Sequence, residues 1–373
     1  MLAVDVTSLL DFPVRTGIQR VVRKLIQEWP DTVPRSLVYF DESRASFVPA
    51  DDAAVEFCVD LVNNPYMTVT EAATLARQLQ ESRASATVNF SAGDKILMPE
   101  LFSSSGRVAA YDQLYQRKVV VRPVVHDLLL WTSPQVWSVT KLGGLNEYLR
   151  LVMAARERLF ESSAVRRMAH ERVFRGSRPN DVVVPLGADS LQRTTLLSDS
   201  ARPYFVCLGT FDSKKRQDVV HHAWQMSKVR NDFDLLFVGR VPHPPRPEHR
   251  AILAHGQQGL RIVNDPDDSE VARLVQHASA SIIISRHEGY GLPAMESLYL
   301  GTPVVAAADL PSLADLANGG QVRLDDTEAP SVSAAMNRFA DPAFVSDMRA
   351  ATGRLSLPTW STYAHSVANW ANS

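Results

Sequence analysis

The chain has 373 residues, 45% hydrophobic and 21% charged, with 39 Lys+Arg against 41 Asp+Glu and two cysteines. At roughly 100 to 200 residues per domain, that length implies about two domains, each large enough to bury a core. The balanced charge excludes a protein that binds nucleic acid or membrane simply by being basic, and Cys58 and Cys207 fit neither a disulfide framework nor a zinc spacing.

A reducing, cytoplasmic setting is therefore expected. The opening MLAVDVTSLLDF lacks the basic, apolar and small-residue succession of a signal peptide. Apolar runs such as 281–284 and 303–308 fall far short of the roughly 18 to 20 residues that span a bilayer.

In chain order, β-branched runs bounded by turn residues predict strands over 2–6, 95–98, 119–125, 181–185, 204–208, 234–238, 260–263, 279–284 and 302–306. Alternating runs at 36–40 and 45–49, around Asp41-Glu42-Ser43-Arg44, read as a β-hairpin. The stretch 51–92 is irregular apart from one helix near 70–83. Strands that alternate with amphipathic helices predict parallel α/β sheets covered on both faces. The polar, proline-bearing 198–203 marks a boundary between two such domains. Two sheets would place a ligand at the carboxyl ends of their strands, in a cleft between domains.

The stretch 285–305, SRHEGYGLPAMESLYLGTPVV, holds the clearest chemistry. An apolar strand enters the turn Glu288-Gly289-Tyr290-Gly291, and a helix starts with Pro293 at a favoured first-turn position. Such a helix end offers free N–H groups to an anion. Glu288 and Glu296 can face the same pocket, where carboxylates accept hydrogen bonds from sugar or ribose hydroxyls.

Here the sequence resembles glycosyltransferase family 4, retaining enzymes of the two-domain GT-B architecture. The carriers are E-G-Y-G-L-P-x-x-E from Glu288 to Glu296, followed by Gly301-Thr302-Pro303-Val304-Val305. The resemblance implies that Glu288 contacts the donor sugar and Glu296 the nucleotide ribose, while the helix start holds the distal phosphate. A second segment, Gly209-Thr210-Phe211-Asp212-Ser213-Lys214-Lys215-Arg216, is similar to the family's G-T-x-x-x-R-K-N. It implies that Lys215 neutralises the donor diphosphate, with Lys214 and Arg216 standing where Arg and Asn are usual. Arg240, after Gly239, occupies a position often basic in the family.

In the N-terminal half, Arg15-Thr16-Gly17-Ile18-Gln19-Arg20 resembles T-G-I-G-R, which carries Gly17 over as a residue facing the donor phosphates. The helix it opens has Ile18, Val21, Val22, Leu25, Ile26 and Trp29 on one face, for packing on the sheet or for contact with a bilayer. HDLLLWTSPQVW resembles H-D-L-x-P and implies that His126 lies beside the reacting sugar. Ser162 to Arg167 resembles V-S-E-A-V-R-R, although Arg156-Glu157-Arg158 is more polar than the strand that normally precedes it. Residues 357–363 resemble the terminal F-S-W segment, whose helix crosses back to the first domain.

The resemblance thus implies a first, acceptor-side domain of 1–199 plus 360–373 and a donor-binding domain of 200–359. Asp265-Pro266-Asp267-Asp268 offers a D-x-D pattern but reads better as an acidic helix cap, so no metal is expected. No cofactor is expected beyond the nucleotide-diphosphate sugar itself. The segment 141–178 is the chain's basic patch, read as a solvated face or as a seat for anionic lipid or a lipid-diphosphate acceptor.

The expected activity is retaining transfer of a hexose, with GDP-mannose as first choice of donor. The expected acceptor is a glycan or lipid-linked acceptor of bacterial surface polysaccharide, at the cytoplasmic face of the membrane and without nucleic acid. Catalysis is assigned to Glu288, His126 and Lys215. Donor binding is assigned to Gly17, Gly209, Lys214, Lys215, Arg240, Gly289, Tyr290, Gly291, Leu292 and Glu296. The alternatives are a GT-B nucleotide-sugar epimerase or phosphorylase, and a non-catalytic subunit of a polysaccharide synthase.

Overall fold

An uninterrupted apolar run such as Tyr204–Leu208, buried at all five positions, is stable only as a strand covered on both faces. The computed structural model describes residues 1–13, 17–61, 67–81, 86–132, 139–176, 178–195, 200, 202–254 and 258–373. Among these, strands of this kind build two sheets in two compact units, Met1–Leu186 with Trp360–Ser373, and Gly187–Thr359.

The first unit runs β1 (Leu2–Asp5), α1 (Thr7–Asp11), α2 (Gly17–Gln27), β2 (Ser36–Asp41), β3 (Ser46–Pro49), α3 (Asp52–Asp60) and α4 (Val69–Glu81). It continues with β4 (Lys95–Met98), α5 (Ser105–Gln116), β5 (Val120–Val125), α6 (Leu129–Thr132), α7 (Val139–Ala154), β6 (Leu159–Phe160), α8 (Ser163–Met168) and β7 (Val182–Val183). The sheet order is β3-β2-β1-β4-β5-β6-β7. Every pairing is parallel except the β2–β3 hairpin, where Tyr39 opposes Val48.

The second unit runs β8 (Tyr204–Leu208), α9 (Gln217–Met226), β9 (Asp234–Val238), α10 (Arg250–Leu253), β10 (Leu260–Val263), α11 (Asp268–Gln276) and β11 (Ala280–Ile283). It then adds α12 (Leu292–Tyr299), β12 (Val304–Ala307), β13 (Gln321–Leu324), α13 (Ala329–Arg338) and α14 (Pro342–Thr352). All its strands are parallel, in the order β10-β9-β8-β11-β12-β13. The closing helix, α15 (Trp360–Asn372), belongs to the first unit, where it packs on α2 and Arg122 stacks over Trp370 at 5.1 Å.

Sequence order reverses between β1 and β4 in one sheet and between β8 and β11 in the other. Loops diverge at such points and leave a crevice at the strands' carboxyl ends. Buried aromatic and aliphatic side chains cover the sheets, among them Phe40, Phe47 and Tyr111 in the first unit and Phe205, Trp224 and Phe339 in the second. Short side chains start several of the helices. Asp51 accepts N–H bonds from Ala53 and Ala54, and Ser104 from Arg107.

Several expectations need correction. The boundary lies at Gly187 rather than at 200, because the following residues join the second unit. Leu191 is buried in its core, Ala188 N–H donates to Pro358 O at 2.8 Å, and Thr194 pairs with Gln276. Ser198, Asp199 and Ala201 lie outside the described residues. Helix α3 occupies part of the stretch read as irregular. The two-residue β6 hides behind Arg158, which is buried because Asp181 takes its guanidinium at 2.8 Å and the Ala155 carbonyl accepts from it at 2.9 Å.

The apolar stripe of α2 is committed to the interior, with Val21, Val22, Leu25 and Ile26 buried, so it offers no face to a bilayer. The basic patch is thinner than its count. Arg150 pairs with Asp112 and Glu147, Arg158 is buried and Arg166 donates to the Asp181 carbonyl, while Arg167, Arg172, Arg175 and Arg178 are exposed. Cys58 and Cys207 are free thiols whose pKa values burial pushes up to about 12. Among the described residues, no helix is long and apolar enough to cross a membrane.

Candidate functional site

At the reversal point of the second sheet, two loops approach closely, one after β8 and one after β11. Gly209 leaves β8 with φ +127°, and Gly239 leaves β9 with φ +143°. A Cβ on Gly239 would lie 2.5 Å from the Gly209 carbonyl oxygen, so only glycine lets these backbones pass. Gly239→Ala is therefore expected to cost about 2–5 kcal/mol of stability by backbone strain and overpacking. Gly17→Ala, with open space around the added carbon, should stay within about 0.5 kcal/mol. Urea titration of both variants checks the contrast.

The loop after β8 turns through Ser213–Lys215, where the Asp212 carboxylate accepts the Lys214 N–H at 3.0 Å. Arg216 then adopts a left-handed φ of 55°. The stem of Lys215 lies over Gly209, and its ammonium reaches Glu288 Oε1 at 2.5 Å. A second tie joins the loops where the Arg286 N–H donates to the Lys214 carbonyl at 2.9 Å. The cation and the carboxylate picked out by sequence thus meet, with Lys215 25% and Glu288 14% exposed.

Beyond Glu288 the chain passes Gly289 and Tyr290 to Gly291, whose φ of +102° begins α12 without a side-chain cap. Tyr290 is buried, and its carbonyl accepts the Ser312 N–H at 2.9 Å. Glu296 lies one turn inside α12 and is 4% exposed. Arg240 is exposed at the end of β9, and its carbonyl accepts the Phe211 N–H at 2.9 Å, which ties it to the Lys215 loop. A recess of about 320 Å³ lies at the carboxyl ends of β11, β12 and β13, lined by Ser285, Arg286, Asp309, Asp325 and Thr327 among others.

A fixed ammonium and a helix start suit a diphosphate, and carboxylates beside them suit hydroxyl groups. Arg216 is not a third cation for that purpose. Its guanidinium turns to Thr327 Oγ1 at 2.5 Å and Glu328 Oε1 at 2.6 Å. Asp267 caps α11 by accepting the Glu270 N–H at 2.8 Å.

The other predicted residues lie in the first unit. Gly17 opens α2, while Arg15 and Thr16 lie outside the described residues, as do residues 133–137 of the His126 segment. His126 itself is buried at the end of β5, and both ring nitrogens are occupied by the protein. Nε2 donates to the Pro99 carbonyl at 2.7 Å, and Nδ1 is 2.6 Å from Glu161 Oε1. The ring is thus not presented to a ligand.

Sequence reading also missed the charged cluster at this sheet's reversal point. Glu100 accepts the Ser8 and Leu9 N–H groups at 2.7 Å, and Arg107 bridges Glu100 and Asp5 at 2.7 Å each. Tyr111 donates to Asp5 at 2.6 Å. The signal was weak, since these residues are scattered over more than 100 positions.

Residues 190–341 match the family of glycosyl transferases group 1. The MMP α-(1→4)-mannosyltransferase of Mycolicibacterium hassiacum is 29% identical over 182 residues, which are 46% of this chain and 39% of that protein. The chain thus matches well under half the length of that relative.

Among solved structures, sucrose-phosphate synthase from Thermosynechococcus elongatus superposes with a TM-score of 0.63 at 15% identity, covering 100% of this chain and 98% of that one. Anabaena HepE in complex with UDP and glucose gives 0.61 at 15% identity, over 99% and 95%. WaaG, a glycosyltransferase involved in lipopolysaccharide biosynthesis, gives 0.60 at 12%, over 100% of both chains. The fold is accordingly the two-domain α/β GT-B architecture.

Proposed function

We propose that the protein is a retaining, metal-independent glycosyltransferase that moves a hexose from a nucleotide-diphosphate sugar, GDP-mannose, to an acceptor hydroxyl. The acceptor in this reading is a glycan or lipid-diphosphate-linked chain of bacterial surface polysaccharide, at the cytoplasmic face of the membrane. The observation that carries it is the meeting of Lys215 and Glu288 at the reversal point of the second sheet, inside the segment that matches glycosyl transferases group 1. The mannosyltransferase relative supports the choice of sugar. Exposed Arg167, Arg172, Arg175 and Arg178 supply the charge for peripheral contact with anionic lipid.

In the proposed reaction the bond between the sugar's anomeric carbon and the diphosphate oxygen breaks, and its electron pair stays with the diphosphate. Lys215 and the N–H groups at the start of α12 stabilise that growing charge. Glu288 accepts hydrogen bonds from sugar hydroxyls and Glu296 from the ribose. The acceptor oxygen attacks the face the diphosphate leaves, and its proton passes to the departing phosphate oxygen. Gly17 serves the donor phosphates, and His126 serves the reacting sugar through its backbone.

The test is turnover of UDP-, GDP- and dTDP-sugars by the purified protein, with and without acceptor. GDP-mannose should be consumed, the product should keep the α configuration, and EDTA should leave the rate within about twofold, because the diphosphate charge is met by Lys215 and backbone N–H groups. Neither binding nor turnover of any nucleotide sugar would sink the reading. A β-configured product would sink retention alone.

A further inference from the structure

Glu161 has no part in the reaction described above, yet it ends a chain of contacts that crosses four neighbouring strand ends of the first sheet. It follows β6, His126 follows β5, Pro99 and Glu100 follow β4, and Ser8 lies just beyond β1. Glu161 Oε1 meets His126 Nδ1 at 2.6 Å, and His126 Nε2 donates to Pro99 O at 2.7 Å. The next residue, Glu100, receives Ser8 N–H at 2.7 Å. The side chains of His126, Glu161 and Glu100 are 6%, 3% and 1% exposed.

Burying a carboxylate and an imidazole is costly unless each is paired, and an apolar pair of similar volume would fill the space at lower cost. What the polar pair adds is direction. With Nε2–H committed to Pro99, the second nitrogen and the carboxyl hold one proton between them. Burial works against charge on the ring, but Glu161 and the Pro99 carbonyl outweigh it and raise the His126 pKa. Burial raises that of Glu161. The ring is thereby fixed in one orientation, and with it the backbone that leaves β5 through His126 and Asp127. Among the described residues, Asp127 and the Tyr148 hydroxyl, which donates to Val124 O at 3.5 Å, also lie at this strand end.

We propose that Glu161 is a positioning residue for sugar transfer. Acting through His126, it sets the backbone at the carboxyl edge of the first sheet without touching substrate. The proposal rests on the glycosyltransferase reading, and the experiment separates the two. Glu161→Gln keeps a hydrogen-bonding group of the same length and removes the charge. In 15N-histidine-labelled protein, Nδ1 of His126 should change from a proton-sharing nitrogen to the acceptor of an amide N–H, leaving a neutral ring.

For that variant kcat should fall about 10- to 100-fold, while KM for the nucleotide sugar stays within about twofold, since positioning acts on the transition state rather than on donor binding. If Glu161→Gln fails to fold, Glu161→Asp withdraws the carboxylate by one methylene and should give the same split. An unchanged His126 signal, or kcat within twofold of wild type, overturns the proposal. Failure of both variants to fold makes Glu161 purely structural and also overturns it. Wild-type protein that turns over no nucleotide sugar overturns the reading beneath it, whatever the histidine signals show.

Discussion

Replacing Glu288 by glutamine is expected to abolish transfer and yet to tighten binding of free nucleoside diphosphate. Calorimetric titration with GDP and UDP reads the effect. Lys215 is engaged by Glu288 at 2.5 Å, so a diphosphate must draw the ammonium away from a carboxylate before it gains the full contact. A partly buried ion pair of this kind is worth about 0.5–1 kcal/mol, which sets the gain at about twofold to fivefold. The glutamine amide still fills the space but no longer competes as an anion.

Lys215→Met should move the same measurement the other way. It removes a charge-assisted hydrogen bond worth about 1.5–3 kcal/mol and leaves the Glu288 carboxylate facing the phosphates, so affinity should fall at least about 10- to 150-fold. Opposite signs at two residues that both eliminate transfer would show that Lys215 serves the diphosphate and Glu288 the sugar. A Glu288→Gln variant that binds GDP more weakly than wild type would show that the two side chains act on the diphosphate together, contrary to this assignment.

The second sheet and its site were readable because local signals agree there. Val238-Gly239-Arg240 and Leu208-Gly209-Thr210 are apolar strands that stop at glycine, and Gly291-Leu292-Pro293 marks a helix start. Lys215 lies six residues after Gly209 and Glu288 three before Gly291, and the sheet order brings their loops together. The first unit was harder to read for the opposite reason. Its strand ends are held by side-chain bonds between residues such as Asp5 and Arg107, 102 positions apart, which no local pattern encodes.

His126 shows the same limit. A motif placed the residue at a strand end, but only the positions of Pro99 and Glu161 reveal that its ring is committed to the protein. Arg216 sits beside two lysines and yet serves Thr327 and Glu328, because its left-handed backbone turns it away from them. Charge counted along a sequence does not give the direction in which a charge points.

The other large effect is expected at Arg107, whose side chain is 2% exposed and bonds Asp5, Ser8 and Glu100. Arg107→Met keeps most of the volume but leaves two carboxylates buried without a cation, a loss of about 3–5 kcal/mol. Against a total stability of about 5–15 kcal/mol, that is enough to bring the first unit near unfolding at 37 °C, visible as a lower urea midpoint. The pH dependence identifies the cause. Burial already holds Glu100 above the usual glutamate range, and losing the guanidinium must raise it further. A carboxyl whose folded pKa exceeds its unfolded value contributes its stability below the unfolded value, about 4.3 for glutamate, and loses it as pH rises through the folded value. The deficit of Arg107→Met relative to wild type should therefore shrink as pH is lowered from 8 toward 5. A deficit that stays constant over that range would mean that the arginine's packing against the Phe102 ring, 4.0 Å from its guanidinium carbon, rather than its charge, holds this edge of the sheet.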